Sequence, residues 1–208
     1  MSEINSSIDD SGRASSEAPA FFVHPKGLAE SEHIGEGTRV WAFAHVMEGA
    51  TLGAACNIGE CSFVESGAVL GDNVTIKNGV QVWAGVTCED WVFVGPNATF
   101  TNDLRPRVMF PKDPADFSST RVCRGATIGA NATIVAGITV GEQAMVGAGS
   151  VVIRDVPAHA LVVGNPARSA GWACTCGARL DGDYHCQDCE RVFEPRDNPS
   201  EGLIEIAS

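Results

Sequence analysis

The 208-residue chain is short of positive charge: 14 Lys and Arg stand against 26 Asp and Glu, a formal net charge of -12. Proteins that grip nucleic acid need clustered cations to displace counterions from phosphates, so no nucleic-acid partner is expected. Long apolar runs are missing too. No stretch approaches the ~18 consecutive apolar residues of a membrane span, and the first residues lack the basic-then-apolar order of a secretory signal. The expectation is a soluble, cytoplasmic protein with no membrane span. Apolar residues recur neither at the helical spacing of three to four nor at the alternate positions of an ordinary strand, so neither pattern alone describes the chain.

What is there instead is a period of six. An aliphatic residue or a close substitute falls at Ile34, Val40, Val46, Leu52, Ile58, Val64, Leu70, Ile76, Val82, Cys88, Val94 and Phe100, then again at Val122, Ile128, Ile134, Val140, Val146 and Val152. A strict period of this kind fits an all-β solenoid of short stacked strands, three to a coil, and the eighteen repeats predict six complete coils. At ~4.8 Å between stacked strands the column stands roughly 24 Å tall, with the aliphatics inside. Glycine often follows the aliphatic, as at Gly35, Gly53, Gly71 and Gly129, where an unusual φ at a corner is expected.

Three segments depart from the period. Residues 1–20 are rich in Ser, Asp, Glu and Ala, with only Ile4 and Ile8 strongly apolar, the composition of a disordered tail. Residues 101–121, TNDLRPRVMFPKDPADFSSTR, carry three prolines, four Arg or Lys and three Asp. A connection of that length is usually functional, the alternative being an insertion tolerated at a corner. The column domain therefore spans 21–171, closed by DVPAHALVVGNPARSAGW, and residues 172–208 form a separate small module.

That module holds four of the eight cysteines as Cys174-x-Cys176 and Cys186-x-x-Cys189. Two close thiolate pairs at this separation signal a tetrahedral Zn²⁺ site, and four protein ligands leave no open position for catalysis, so a structural zinc ribbon is expected. A redox dithiol is the competing account, but it has no use for the second pair. His185 is a neighbour that could replace one thiolate.

The segments IGEGTRVWAFAHV, TIKNGVQVWAGVTCEDWVFVGPNATFTNDLRPR and VVGNPAR resemble the nucleotide-sugar 3-amino N-acetyltransferases among the left-handed β-helix acyltransferases, over about residues 22–172. The resemblance implies a left-handed winding, a homotrimer with active sites between neighbouring columns, and acetyl-CoA lying along the groove. It implies as acceptor a UDP-linked 2-acetamido-3-amino-2,3-dideoxyglucuronate or a dTDP-linked 3-amino-3,6-dideoxyhexose, destined for surface polysaccharide. It places Asn78 where the family orients the amine, with Trp83 and Glu89 as sugar contacts. Asn102, Arg105 and Arg107 of the excursion are candidates for the sugar site, since an arginine fork suits a carboxylate or a pyrophosphate. Gly147, Ala148 and Ser150 could offer backbone groups to the pantetheine arm and Arg168 could meet the CoA phosphates. Where the family often has a His after the Trp of VWAFAH, this chain has Ala42.

Amide formation from a thioester requires a neutral amine aligned on the carbonyl carbon and donors for the developing oxyanion. A general base helps without being obligatory, and the departing CoA thiolate can take the proton. Of the five histidines only His45 lies on a coil, which makes it the one candidate base there. Asn78 has a plainer alternative role, a corner Asn tolerating left-handed φ before Gly79. A hydratase of the γ-carbonic-anhydrase type shares the column but needs three converging histidines, which one coil histidine cannot supply. The remaining rival is a non-catalytic scaffold that uses the ribbon to bind a protein partner.

Overall fold

A computed structural model describes residues 20–207. The expected N-terminal tail therefore falls, except for Ala20, outside the described residues. Almost every repeat forms a two-residue strand whose first side chain points out and whose second points in, as in Thr75–Ile76 with Ile76 fully buried. That alternation, with a four-residue turn between strands, is why the buried position returns every sixth residue.

The strands stack in parallel into three walls. The first wall runs from Phe22–Val23 through Asn57–Ile58, Thr75–Ile76 and Phe93–Val94 to Met145–Val146 and Ala160–Val163. The second runs from Leu28–Ala29 through His45–Val46 and Gln81–Val82 to Val151–Val152, and the third from Thr51–Leu52 to Thr139–Val140. Three edges join them. The first edge lies between the first and second walls, the second between the second and third, and the third closes the triangle. Interior residues such as Ile58, Ile76, Ile128 and Ile134 are 0% exposed. Burying each contributes about 1.5–3 kcal/mol.

The column is longer than the six coils expected. An extra coil precedes Ile34: Val23 pairs with Val40 and Ala29 with Val46, while Ile34 bridges to Leu52. Only five residues separate Ala29 from Ile34, so a strict period of six skips this coil. At the other end Val156 bridges to Val140, four residues after Val152, and Val162 then pairs with Val146. The first wall thus has eight stacked levels, roughly 34 Å at ~4.8 Å each.

The role expected of the post-aliphatic glycines also needs correction. None of Gly35, Gly53, Gly71 or Gly129 has positive φ; the left-handed residue comes two positions later, as at Gly37. What excludes a side chain at Gly53 is the next coil, since an added Cβ would lie 2.6 Å from the carbonyl carbon of Gly71.

Arg168–Trp172 turns back antiparallel to Ala160–Val163 and carries the chain into the cysteine module. The module adds an antiparallel pair, Val192–Pro195 with Leu203–Ala207, and a small core of Cys174, Leu180, Cys186, Phe193 and Leu203. It is keyed to the column's last turn, where the Ala158 N–H donates to the Glu201 carbonyl at 3.1 Å and the Leu203 N–H to the Ala158 carbonyl at 3.2 Å. No helix among the described residues is long and apolar enough to cross a membrane.

Candidate functional site

The first edge is a ladder of backbone hydrogen bonds with one turn per coil. Gly79 N–H donates to Glu60 O at 2.9 Å, Asn97 N–H to Asn78 O at 3.0 Å, Asn131 N–H to Pro96 O at 3.0 Å and Gly149 N–H to Ala130 O at 2.8 Å. Asn78 and Ala148 therefore stand on one edge three coils apart, ~14 Å. Asn78 is exposed, its carboxamide meets no hydrogen-bonding partner among the described residues, and the left-handed residue is Gly79 (φ +75°). The plainer account of Asn78 as a left-handed corner residue is thereby removed, and the carboxamide is available to a ligand.

Of the three residues expected to face a pantetheine arm, only Ala148 keeps free backbone groups: its N–H and C=O make no hydrogen bond among the described residues. Gly147 and Ser150 do not. The Gly147 N–H goes to Val162 O at 2.8 Å, the Ser150 N–H to Gly147 O at 3.3 Å, and Ser150 O accepts from Thr133 N–H at 2.8 Å. Ser150 Oγ is buried and accepts from Gly164 N–H at 3.1 Å, pinning the hairpin that ends this edge. Arg168 follows that hairpin, is exposed, and lines a cavity of about 300 Å³ at the column's end together with Arg154 and Trp172.

The second edge is the one the excursion interrupts, between Thr99–Phe100 and Thr120–Val122. Trp83 sits here, half-buried, its indole N–H donating to Phe100 O at 3.0 Å, so it packs the column rather than presenting a free donor. Asn102 and Arg105 line a polar cavity of about 330 Å³ within the excursion. Its shape is held by the Asp103–Lys112 ion pair, and the Lys112 ammonium keeps the Asp103 carboxyl below the usual carboxylate range. Arg107 is exposed outside that cavity. Next to it the excursion holds Val108 fully exposed, with Met109 85% and Phe110 73% exposed.

Glu89 lies on the third edge, away from Asn78 and Trp83. Its carboxylate accepts from Arg121 Nε at 2.7 Å and from the Arg124 N–H at 2.9 Å, so its expected role as a sugar contact is not supported by its placement. His45 faces outward on the second wall, with Nε2 3.0 Å from Glu30 Oε2 and its ring edge-on to Phe63 at 5.4 Å. Sequence reasoning missed Glu30. Leu28–Ala29 pairs beside His45–Val46, which places Glu30 next to that imidazole, but it belongs to the coil hidden by the five-residue step. Within one chain, then, the candidates divide between separate edges.

The four ribbon sulfurs lie within 4.8 Å of one another. Cys174–Cys189 is 3.4 Å, Cys176–Cys186 3.6 Å and Cys186–Cys189 3.4 Å. A tetrahedron with metal–sulfur bonds of ~2.3 Å has edges of about 3.8 Å, so the donors fit Zn²⁺; they are far too distant for disulfides at ~2.05 Å. The Cys189 thiol is pulled down to about 6, first by the Arg191 backbone N–H, with the Arg191 guanidinium 3.1 Å away also helping. Burial pushes Cys174 the other way, a penalty a bound cation would offset.

The model for bacterial transferase hexapeptide (six repeats) matches residues 33–66, and that for the hexapeptide repeat of succinyl-transferase matches residues 121–154. The dTDP-3-amino-3,6-dideoxy-alpha-D-galactopyranose 3-N-acetyltransferase of Aneurinibacillus thermoaerophilus is 47% identical over 193 residues, covering 91% of this chain and 99% of that protein. Among solved structures, a hexapeptide-repeat-containing acetyltransferase of Vibrio cholerae O1 biovar eltor, complexed with acetyl coenzyme A, aligns with a TM-score of 0.52 at 27% identity. That alignment covers 60% of this chain and 70% of the other.

Proposed function

Since the chain belongs to the hexapeptide-repeat nucleotide-sugar 3-N-acetyltransferases, we propose that it transfers the acetyl group of acetyl-CoA to the 3-amino group of a nucleotide-linked amino sugar. Of the two acceptor classes, the dTDP-linked 3-amino-3,6-dideoxyhexose is favoured, because the relative at 47% identity is named for one. The product is a 3-acetamido sugar nucleotide of the kind used for surface polysaccharide. The observation that carries the reading is the first edge, where an unengaged carboxamide and an unengaged backbone amide share one uninterrupted ladder.

Acetyl-CoA supplies the thioester. Its pantetheine arm runs along the small residues Ala148, Ala130 and Pro96 toward Asn78, with the Ala148 N–H and C=O meeting an arm amide and Arg168 meeting phosphate. The Asn78 carboxamide accepts a hydrogen bond from the sugar amine and aims its lone pair at the thioester carbon. A C–N bond forms, the C–S bond breaks, and the departing thiolate takes the amine proton. Oriented attack of this kind is where most of the barrier reduction lies.

The excursion's Asn102 and Arg105 line a cavity made of excursion residues alone and are rooted on a different edge from Asn78. A second copy supplies the complement: its excursion, with Phe110 and its neighbours exposed, covers the first edge of the next column, and three copies close the ring. In the ribbon, Cys174, Cys176, Cys186 and Cys189 hold one structural Zn²⁺.

Thiol release from acetyl-CoA, followed with dTDP- and UDP-linked 3-amino and 4-amino sugars, tests the reading. Turnover is expected with a dTDP-linked 3-amino sugar, and silence across the series would sink it. Asn78→Ala is expected to lower kcat at least tenfold with the fold intact. An unchanged kcat removes Asn78 from the mechanism.

A further inference from the structure

The first edge is asymmetric about Asn78. Toward the C-terminal end its turn residues are small or short: half-buried Pro96 and Ala130, and exposed Asn97, Asn131, Ala148 and Gly149. Toward the other end it carries Glu60 and Cys61, then Phe43, then Lys26, all exposed. The same ladder continues through them, with Cys61 N–H donating to Ala42 O at 3.2 Å and Phe43 N–H to Lys26 O at 2.8 Å.

Phe43 is the anomaly in that series. It fills the turn slot that Cys61, Gly79, Asn97, Asn131 and Gly149 fill elsewhere on this edge, and it is the one large side chain to share their left-handed backbone there, at φ +58°. Glycine and asparagine suit that conformation, whereas a bulky side chain is disfavoured there. Burial offers no compensation, because the ring is 62% exposed. The Lys26 ammonium stands 5.5 Å from the ring centroid, so a cation and an aromatic face are presented together on adjacent coils.

We propose that this end of the first edge is the subsite for the acceptor's nucleoside diphosphate, with Phe43 as the platform on which the pyrimidine base stacks and Lys26 as the cation for its phosphates. The inference rests on the acetyl-transfer reading, which places the reacting amine at Asn78 and the donor on the C-terminal side. The acceptor's remaining length then has to run the other way. Phe43 lies two coils from Asn78, ~10 Å, a span that the pyranose, diphosphate and deoxyribose between the amine and the base cover in a bent conformation. Glu60, on the coil between, stands beside the sugar as an acceptor for its hydroxyls.

Phe43→Asn tests the platform, because asparagine already holds this backbone at Asn73, Asn97 and Asn131. In the full-length protein it is expected to raise KM for the dTDP-linked amino sugar at least tenfold, leaving kcat and KM for acetyl-CoA within twofold. Calorimetric titration with thymidine and uridine diphosphates should show the same loss of affinity, and Lys26→Met a smaller, salt-sensitive one. Unchanged nucleotide affinity in Phe43→Asn overturns the platform. So does a change in the mass of the assembly, which would assign Phe43 to a contact between copies. If the unaltered protein acetylates no nucleotide amino sugar, the acetyl-transfer reading falls, whereas the platform is still judged by the titrations.

Discussion

Neither the column nor the ribbon contains an α-helix among the described residues, and they are held in opposite ways. In the column each rung repeats its neighbour: backbone N–H groups donate from coil to coil, and the interior is a continuous stack of aliphatics at 0–1% exposure over most of its length. The ribbon gathers a core cluster of only five buried residues, pairs two strands, and draws four cysteines to one point. A module of fewer than about 40 residues seldom builds a sufficient core alone, and disulfides or metals make up the deficit. Stability in one region is distributed and in the other concentrated, so the two should fail independently.

The largest expected effect follows from that concentration. Stripping the Zn²⁺ proposed for the ribbon forfeits a binding free energy of about 10–16 kcal/mol, and Cys186→Ala forfeits part of it; either should unfold residues 173–207 as a unit. Amide exchange would show the ribbon exposed and the coils through Val146 still protected, and a column that melts with the ribbon would show that the two regions do not fail independently. One zinc per chain should accompany the folded ribbon. A smaller loss, about 2–5 kcal/mol, is expected for Ile128→Ala or Ile76→Ala, each of which opens a cavity in a fully buried stack. The denaturant midpoint of the column should fall by similar amounts for both, with zinc content unchanged. A tenfold disparity in equilibrium constant between them would mean that the rungs are not equivalent.

Much of this was legible in the sequence because a period is arithmetic. Seventy residues separate Asn78 from Ala148; the excursion accounts for sixteen of them, and three coils of eighteen remain, so their shared edge follows from numbering alone. The four ribbon cysteines were equally plain. What escaped was whatever broke the count. The five-residue step before Ile34 hid the first coil and Glu30 with it, and the four-residue step after Val152 hid the closing strand. Partnerships were illegible as well. Nothing in the local sequence around Glu89 says that Arg121, across the excursion, takes its carboxylate, or that Ser150's backbone is already spent on Gly147 and Thr133.

The third edge adds a smaller increment to the distributed side. Asp72 Oδ1 accepts the Ala54 N–H at 2.8 Å, Asp90 Oδ1 accepts the Asp72 N–H at 2.9 Å, and Arg124 closes the series on Asp90 at 2.7 Å. Each carboxylate staples one coil to the next. Asp72→Ala leaves the Ala54 N–H to water and should cost about 1 kcal/mol, since the site is exposed. A loss above about 3 kcal/mol would show that the column depends on single staples after all.

The smallest effect concerns the seam where the two regions meet. His159 is buried there, its Nδ1–H donating to the Ala173 carbonyl at 3.0 Å and its ring 4.8 Å from Phe193. Burial, the largest influence, lowers its pKa beneath the usual histidine value; the Ala173 carbonyl, Glu142 and Glu205 pull it up, and Arg196 pulls it down. The folded seam therefore holds the neutral ring, while the unfolded chain binds the proton below about pH 6.5. This contribution is fully present above about pH 6.5 and is lost as pH falls through the depressed value. Acid also competes with zinc for the thiolates, so the useful quantity is the difference between the unaltered protein and His159→Phe, which cannot titrate. From pH 7.5 to 5.5 the ribbon's melting temperature should fall further in the unaltered protein than in His159→Phe. Parallel curves would show that protonation of this imidazole does not loosen the seam.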